Sequence, residues 1–349
     1  MVTTLSVTDL TANRVVWVER FETQMDNGDL IEDTQTMAQQ IVHKLVKPAG
    51  IILVKALQKR MGVHPNNWTA TDCILRWHYY RLLDRSPGTH ASLRAKIKRI
   101  IDIDPMFPLG KIIYAMLKLD EAVYLLNPTS DADSAISRAQ YYIQQAISAD
   151  PEIPGGHYVS AQCNYFANNL EGFRTSAQES LSRNPRNPRN SDLLHHIGVF
   201  LALSGDSEQG LNLAEQAGMG YHSGVGYRLG HILISYFWEE PGAAKALFET
   251  CMMPNQLSIG QLAGCLAYLR ADEIELAAER FHKLHELEGV SSRAVEQVVD
   301  LGVKDPTLKA HIMNDLSRLK ATSSTVVPLS LHNLPCPTVT NLFLCSATL

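Results

Sequence analysis

The sequence predicts an all-α fold, a solenoid of stacked helix pairs preceded by a short β-hairpin, and three observations carry that expectation. Amphipathic segments recur with Asp-Pro or Asn-Pro behind them, Pro151 and Pro185 stand 34 residues apart, and 45% hydrophobic content over 349 residues is enough to bury a long core. Proline after a last helical turn has a physical cause. It has no N–H with which to continue the helix, and it biases the residue before it away from the α region.

Residues 1–47 differ in kind from the rest. Leu5–Leu10 and Val15–Arg20 flank the polar turn Thr11–Arg14 and read as a hairpin, and Asp33–Val46 then reads as a helix. Two strands alone are marginal in water, so this hairpin is expected to leave its edges open, expose Trp17 and Phe21, and offer a route to self-association.

Residues 48–320 form the expected array. A unit ends at Asp104-Pro105, and the 46 residues from Pro105 to Pro151 imply a loop insertion near Asn127–Asp133. Ahead of Pro151, Ile136, Ala139, Ile143, Ala146 and Ile147 follow helical spacing, with small residues where a neighbour packs close. Ala161, Phe173, Ser180 and Pro185 mark the next unit. After an offset of three residues at Asn187–Arg189, Gly198, Gly205, Gly210 and Ala217 mark another, with Leu203–Asp206 as its inter-helix turn. Weaker units run from Gly230 to Cys251 and from Gly264 to His285, and helices within Ser292–Lys320 close the array. Residues 321–349 hold three prolines, many Ser and Thr, two cysteines and almost no charge, and are expected to be a disordered or poorly packed tail.

These positions resemble the tetratricopeptide repeat, whose pattern has small residues at its eighth, twentieth and twenty-seventh places and proline at its thirty-second. Ala139, Ala146 and Pro151 match the last three; Phe173 departs from the pattern, where alanine is usual. Val7–Leu10, Arg14–Phe21 and the helix after them resemble the closing stretch of a TolB-like domain, and Trp68–Arg76 resembles the segment joining such a domain to a repeat array. That combination is similar to a region of bacterial class III adenylate cyclases and of winged-helix regulators of the CadC type. No cyclase or winged-helix sequence is present in the chain, so neither activity carries over.

Other chemistry finds weak support. The formal charge of -5 argues against a general affinity for nucleic acid. Without a charged leader or an apolar run near 20 residues, the chain is expected to be soluble, cytoplasmic and not inserted in a membrane. Six scattered cysteines without a CxxC pair read as buried apolar residues in a reducing compartment. The glycine-rich stretch Gly218–Gly230 follows a helix instead of a strand, which fits an inter-repeat turn and close helix contact better than a phosphate loop. His195-His196 and His282 with His285 lack the further ligands of a metal site. No nucleophile elbow, Walker loop or kinase signature appears, so no catalytic residue, metal or cofactor is expected.

Charge is unevenly spread. Lys44 to Lys111 holds thirteen basic against four acidic residues, whereas Asp206 to Asp300 holds fourteen acidic against six basic. Lys96, Lys98 and Arg99 form the basic patch best placed to steer an acidic partner. The repeat resemblance implies that the first helix of each pair lines a concave groove. Of its second, fifth, ninth and twelfth positions, those expected to face inward are Tyr158, Gln162 and Tyr165 in one unit and Asp192, His195 and Val199 in the next, with Tyr227, His231, Gln261 and Tyr268 from the weaker units. Such a lining suits an extended protein or peptide partner, because tyrosine adds contact area at low entropic cost and the polar groups bond its backbone. These positions are expected to lie outside the core. The expected function is therefore a non-catalytic scaffold for protein–protein interaction; the alternative is the sensory half of a cyclase or transcription regulator parted from its effector.

Overall fold

Proline opens four of the helices, at Pro87, Pro108, Pro154 and Pro306, where its missing N–H costs nothing because the first turn has no internal acceptor for it. The computed structural model describes the backbone of residues 2–10, 13–22, 50–82, 84–127, 131–183, 190–217, 225–250, 258–286 and 292–323, together with Thr34, Met37, Ala38, Ile41 and Leu45. The described chain is an all-α array preceded by one two-stranded antiparallel sheet. The expected tail lies almost wholly outside the described residues.

Strands β1 (Val2–Asp9) and β2 (Arg14–Glu22) pair in the register Val2 with Glu22 and Val7 with Trp17, and a bulge follows Val7. Asn13 takes the left-handed conformation in the turn, which asparagine tolerates better than most residues. The hairpin corrects one expectation, since Phe21 is buried, 6.3 Å from the half-buried Trp17 ring; Val2, Val15 and Val18 are exposed instead. Residues described between 33 and 46 are helical, as the sequence suggests.

Helix α1 (Ile51–Arg60) is fastened to α2 (Ala70–Leu82) by charge. Arg60 donates two hydrogen bonds to Asp72, at 2.6 and 2.7 Å, and Asp72 also accepts from the backbone and hydroxyl of Thr69. Arg76 donates to the carbonyls of Arg60 and Met61 at the end of α1 and lies over the Trp68 ring.

The pairs then follow in order: α2 with α3 (Pro87–Ile103), α4 (Pro108–Val123) with α5 (Ala132–Ala149), α6 (Pro154–Phe166) with α7 (Leu170–Ser182), and α8 (Asn190–Ala202) with α9 (Ser207–Gln216). Three more complete the array: α10 (Val225–Trp238) with α11 (Ala243–Thr250), α12 (Ser258–Arg270) with α13 (Ile274–Glu286), and α14 (Ser292–Gly302) with α15 (Pro306–Ser323). The expected insertion near Asn127–Asp133 is only partly a loop. Ala132 already lies in α5, capped by Asp131, and most of the extra length is spent on longer helices, 16 and 18 residues in α4 and α5 against 13 in each of α6 and α7.

Small residues sit where helices touch. Ala139, Ala146 and Ala161 are buried, and at the α8–α9 crossing a Cβ on Gly198 would stand 2.6 Å from the carbonyl oxygen of Gly210, so the two backbones meet directly. Gly205, with φ of 102°, supplies the left-handed residue of the turn between them.

The last pair does more than cap the end. Helix α14 packs against both α12 and α4, and the segment after it crosses the inner face of the array. Tyr165 donates its hydroxyl to the carbonyl of Gly302 at 2.7 Å, and the backbone N–H groups of Lys304 and Asp305 both donate to the carbonyl of Leu203, at 2.8 and 3.0 Å. Val303 is buried, and Leu301 joins the Ile112–Leu119 cluster on α4. One apolar core consequently runs from Trp68 and Tyr80 near the start of the array to Leu319 at its end.

Candidate functional site

The first helices of successive pairs converge on a cavity of about 130 Å³ in the inner face, walled by α4, α6, α8 and α10 and bounded on one side by Gly302. Its wall is mostly apolar, with Met116, Phe166, Phe200, Leu229 and Leu233 among its residues. One region is polar. Arg85, only 5% exposed, stands beside Asp120, its Nη1 lying 3.9 Å from Oδ1, and Tyr80 donates to the other carboxylate oxygen at 2.8 Å.

The loop after α2 carries Arg85 over the Tyr124 ring, 4.6 Å from its centroid, with Nε reaching back to the Arg81 carbonyl at 3.5 Å. Burial disfavours charge on Arg85, but Tyr124, Asp120 and Tyr80 more than compensate, and its pKa lies above the ordinary arginine value. Burial likewise raises the phenols of Tyr80 and Tyr124, which stay neutral. Nη1 of Arg85 has no hydrogen-bond acceptor among the described residues.

The residues expected to line an open groove divide into three groups. Tyr158 and Gln162 are half-buried and line the cavity, joined by a hydrogen bond of 3.0 Å from the amide to the phenol; Val199 also lines it but is buried. Tyr165, His195, Gln261 and Tyr268 are buried, contrary to their expected position outside the core. Tyr165 stacks on Phe200 at 4.3 Å beneath the crossing segment. His195 stacks on the half-buried His231 at 5.4 Å between α8 and α10, Gln261 accepts from Arg280, and Tyr268 packs on Phe248. The segment after α14 takes the space an open groove would leave at Tyr165, whereas His195, Gln261 and Tyr268 are covered by side chains of the neighbouring helices α10, α13 and α11. The side chains of Asp192 and Tyr227 lie outside the described residues.

In the basic patch, Lys98 pairs with Asp102 and Lys96 donates to the Asn66 carbonyl, both at partly exposed positions, and Arg99 is exposed. Burial pushes the thiols of Cys73, Cys163 and Cys265 up, to about 11, 12 and 12, so at neutral pH they carry little thiolate. Cys251, Cys336 and Cys345 lie outside the described residues. Of Gly218–Gly230, residues 218–224 do too; the remainder is helix, and Gly230 abuts Val199. Among the described residues no group of three or more His, Cys, Asp or Glu is placed to hold a metal, and no helix is long and apolar enough to cross a membrane.

Repeat register could not have found Arg85, Asp120 or the crossing segment. Arg85 lies between helices, and the crossing is held by main-chain carbonyls that carry no residue signature. No protein-family model matches the chain, and comparison with curated proteins finds no match.

Proposed function

We propose that the chain is a non-catalytic binding scaffold of the tetratricopeptide kind, working in the cytoplasm, and that it holds a segment of a partner protein at the inner face of its array. The observation that carries this reading is the convergence of four first helices on one cavity, where Tyr158 and Gln162 present a phenol and an amide beside apolar wall. Amphipathic side chains on rigid helices supply contact area and backbone hydrogen bonds at small entropic cost. A peptide array probed with the native protein and with a Tyr158→Ala/Gln162→Ala variant of unchanged circular dichroism tests it. Peptides retained by the native protein and lost by the variant are expected; retention by both equally, or by neither, counts against the inner face.

The small size of that cavity favours a second reading, the sensory half of a regulator. A pocket of about 130 Å³ suits a small ligand better than a long segment, and with Gly302 in its wall, ligand occupancy there would act on the crossing segment directly.

A further inference from the structure

In a small cavity walled mostly by apolar side chains, a polar group with hydrogen-bonding capacity to spare marks where a ligand is recognised. The charged residues of this wall are committed elsewhere. Arg85 is enclosed beside Asp120 and the Tyr124 ring, Asp120 accepts from Tyr80, and Arg81 lies over the Trp77 ring at 5.0 Å. Gln162 differs. Its one side-chain hydrogen bond among the described residues runs from Nε2 to the Tyr158 hydroxyl, so Oε1 accepts nothing there and Nε2 keeps a second N–H. Oε1 is also accessible, unlike the enclosed Nη1 of Arg85. Such an amide offers an acceptor and a donor side by side, the pattern that a second amide complements with two hydrogen bonds. Gln162 and Phe166 both line the cavity and stand one turn apart on α6, so a ring lying on Phe166 carries its substituent to Gln162.

We propose that this cavity is a binding site for a small neutral aromatic carboxamide, its amide pairing with Gln162 and its ring lying against Phe166, Phe200 and Leu233. The ligand's N–H gives Oε1 a donor, and its carbonyl accepts the second N–H of Nε2, in apolar surroundings where an unmet acceptor is costly. The wall favours a ring over an alkyl chain, because Phe166 and Phe200 offer an edge and a face to it and the Met116 thioether packs well against aromatic edges. Size agrees as well. A cavity of about 130 Å³ is close to the ~150 Å³ apolar cavity known to admit benzene, so the body is one six-membered ring. The inference rests on the reading of the cavity as a small-ligand site.

The test is calorimetric titration of the full chain with benzamide, acetophenone and benzoate, which share a ring and a carbonyl but of which only benzamide has an N–H. A purely apolar pocket favours acetophenone over benzamide, because the ketone loses less hydration on entry. Benzamide is instead expected to bind about tenfold more tightly than either of the others, since they leave Oε1 without a donor. Gln162→Leu is expected to reverse the order of benzamide and acetophenone, and Leu233→Phe to exclude both by filling the apolar end. The order of the three probes on the native protein requires no variant, so it stands whether or not a variant folds. N-acetyl-Phe-Gly amide, which carries phenyl and amide within a chain, separates the two sources of such groups. Tighter binding of that peptide than of benzamide overturns the assignment to a free small molecule. Equal or tighter binding of acetophenone or benzoate by the native protein, or a benzamide preference that survives Gln162→Leu, overturns the carboxamide. Binding of none of the three overturns the small-ligand reading with it, whereas the peptide array, which contains no small ligand, reads the partner segment separately.

Discussion

Two places in the molecule bring main chain close to main chain, and they do so by opposite means. At the α8–α9 crossing the partners are neighbours in sequence, and Gly198 and Gly210 let the backbones meet because neither carries a Cβ. At the crossing segment the partners are far apart in sequence, and hydrogen bonds from Tyr165, Lys304 and Asp305 hold them. The first contact builds a unit of the array; the second decides how the units are arranged around the inner face. The two share Leu203, which lies in the α8–α9 turn and accepts both bonds from the crossing segment.

The largest effect expected from breaking this comparison is at the glycines. Gly210→Ala would set a methyl group against the carbonyl of Gly198 and the backbone of Ala202, neither of which is a flexible side-chain end. A loss of about 3 kcal/mol is expected, the upper range of ordinary overpacking, read from the urea midpoint. Tyr165→Phe keeps the ring stack on Phe200 but leaves the Gly302 carbonyl without its donor, and is expected to cost about 1–2 kcal/mol. Hydrogen exchange distinguishes the two substitutions. Tyr165→Phe should speed exchange at the Lys304 and Asp305 amides more than within α9, and equal acceleration in both places would show that the crossing is not a separate contact.

The smallest effect is a dependence on pH. Burial, with Lys309 adding to it, pushes the Lys304 ammonium down to about 8 from 10.5. Between those values the unfolded chain binds more protons than the folded one, so this group's contribution makes stability rise as pH increases from about 8 toward 10.5. Buried phenols such as Tyr165 act the other way at high pH, because burial raises them while the unfolded chain ionises. The informative quantity is therefore the difference between the native protein and Lys304→Met, measured as urea midpoints at pH 8 and pH 10. The native protein should gain on the variant over that interval; parallel changes in the two would return Lys304 to an exposed, unperturbed site.

The helix pairs were legible in sequence because each leaves side-chain evidence. Ala139, Ala146 and Ala161 mark close contacts, Gly205 marks a turn, and proline marks the gaps between helices. The hairpin showed through alternation, although its register and the burial of Phe21 did not, since a two-stranded sheet says little about which face meets the helices. The inner face was legible only in part. Tyr158 and Gln162 fall where helical periodicity puts them, but Tyr165 is covered by a segment from the far end of the chain and Val199 is buried against Gly230 of α10. Nothing local announces that covering, because the carbonyls of Gly302 and Leu203 are common to every residue type. Arg85 was hidden for another reason: a lone arginine after a helix reads as solvent-facing until its burial is known.

A stack whose units touch only their neighbours unfolds like a row of dominoes, and its end units fray first because each has a single neighbour. The bond from Tyr165 to Gly302 spans 137 positions and removes that freedom, turning the row into a loop with no loose end over the stretch it encloses. Unfolding of α14 then uncovers Tyr165 in the middle of the array, and disruption of that middle removes an anchor of α14, so the two regions are coupled through the bonds they share. The same closure slows folding, since the chain between those residues must be ordered before the bond that joins them can form.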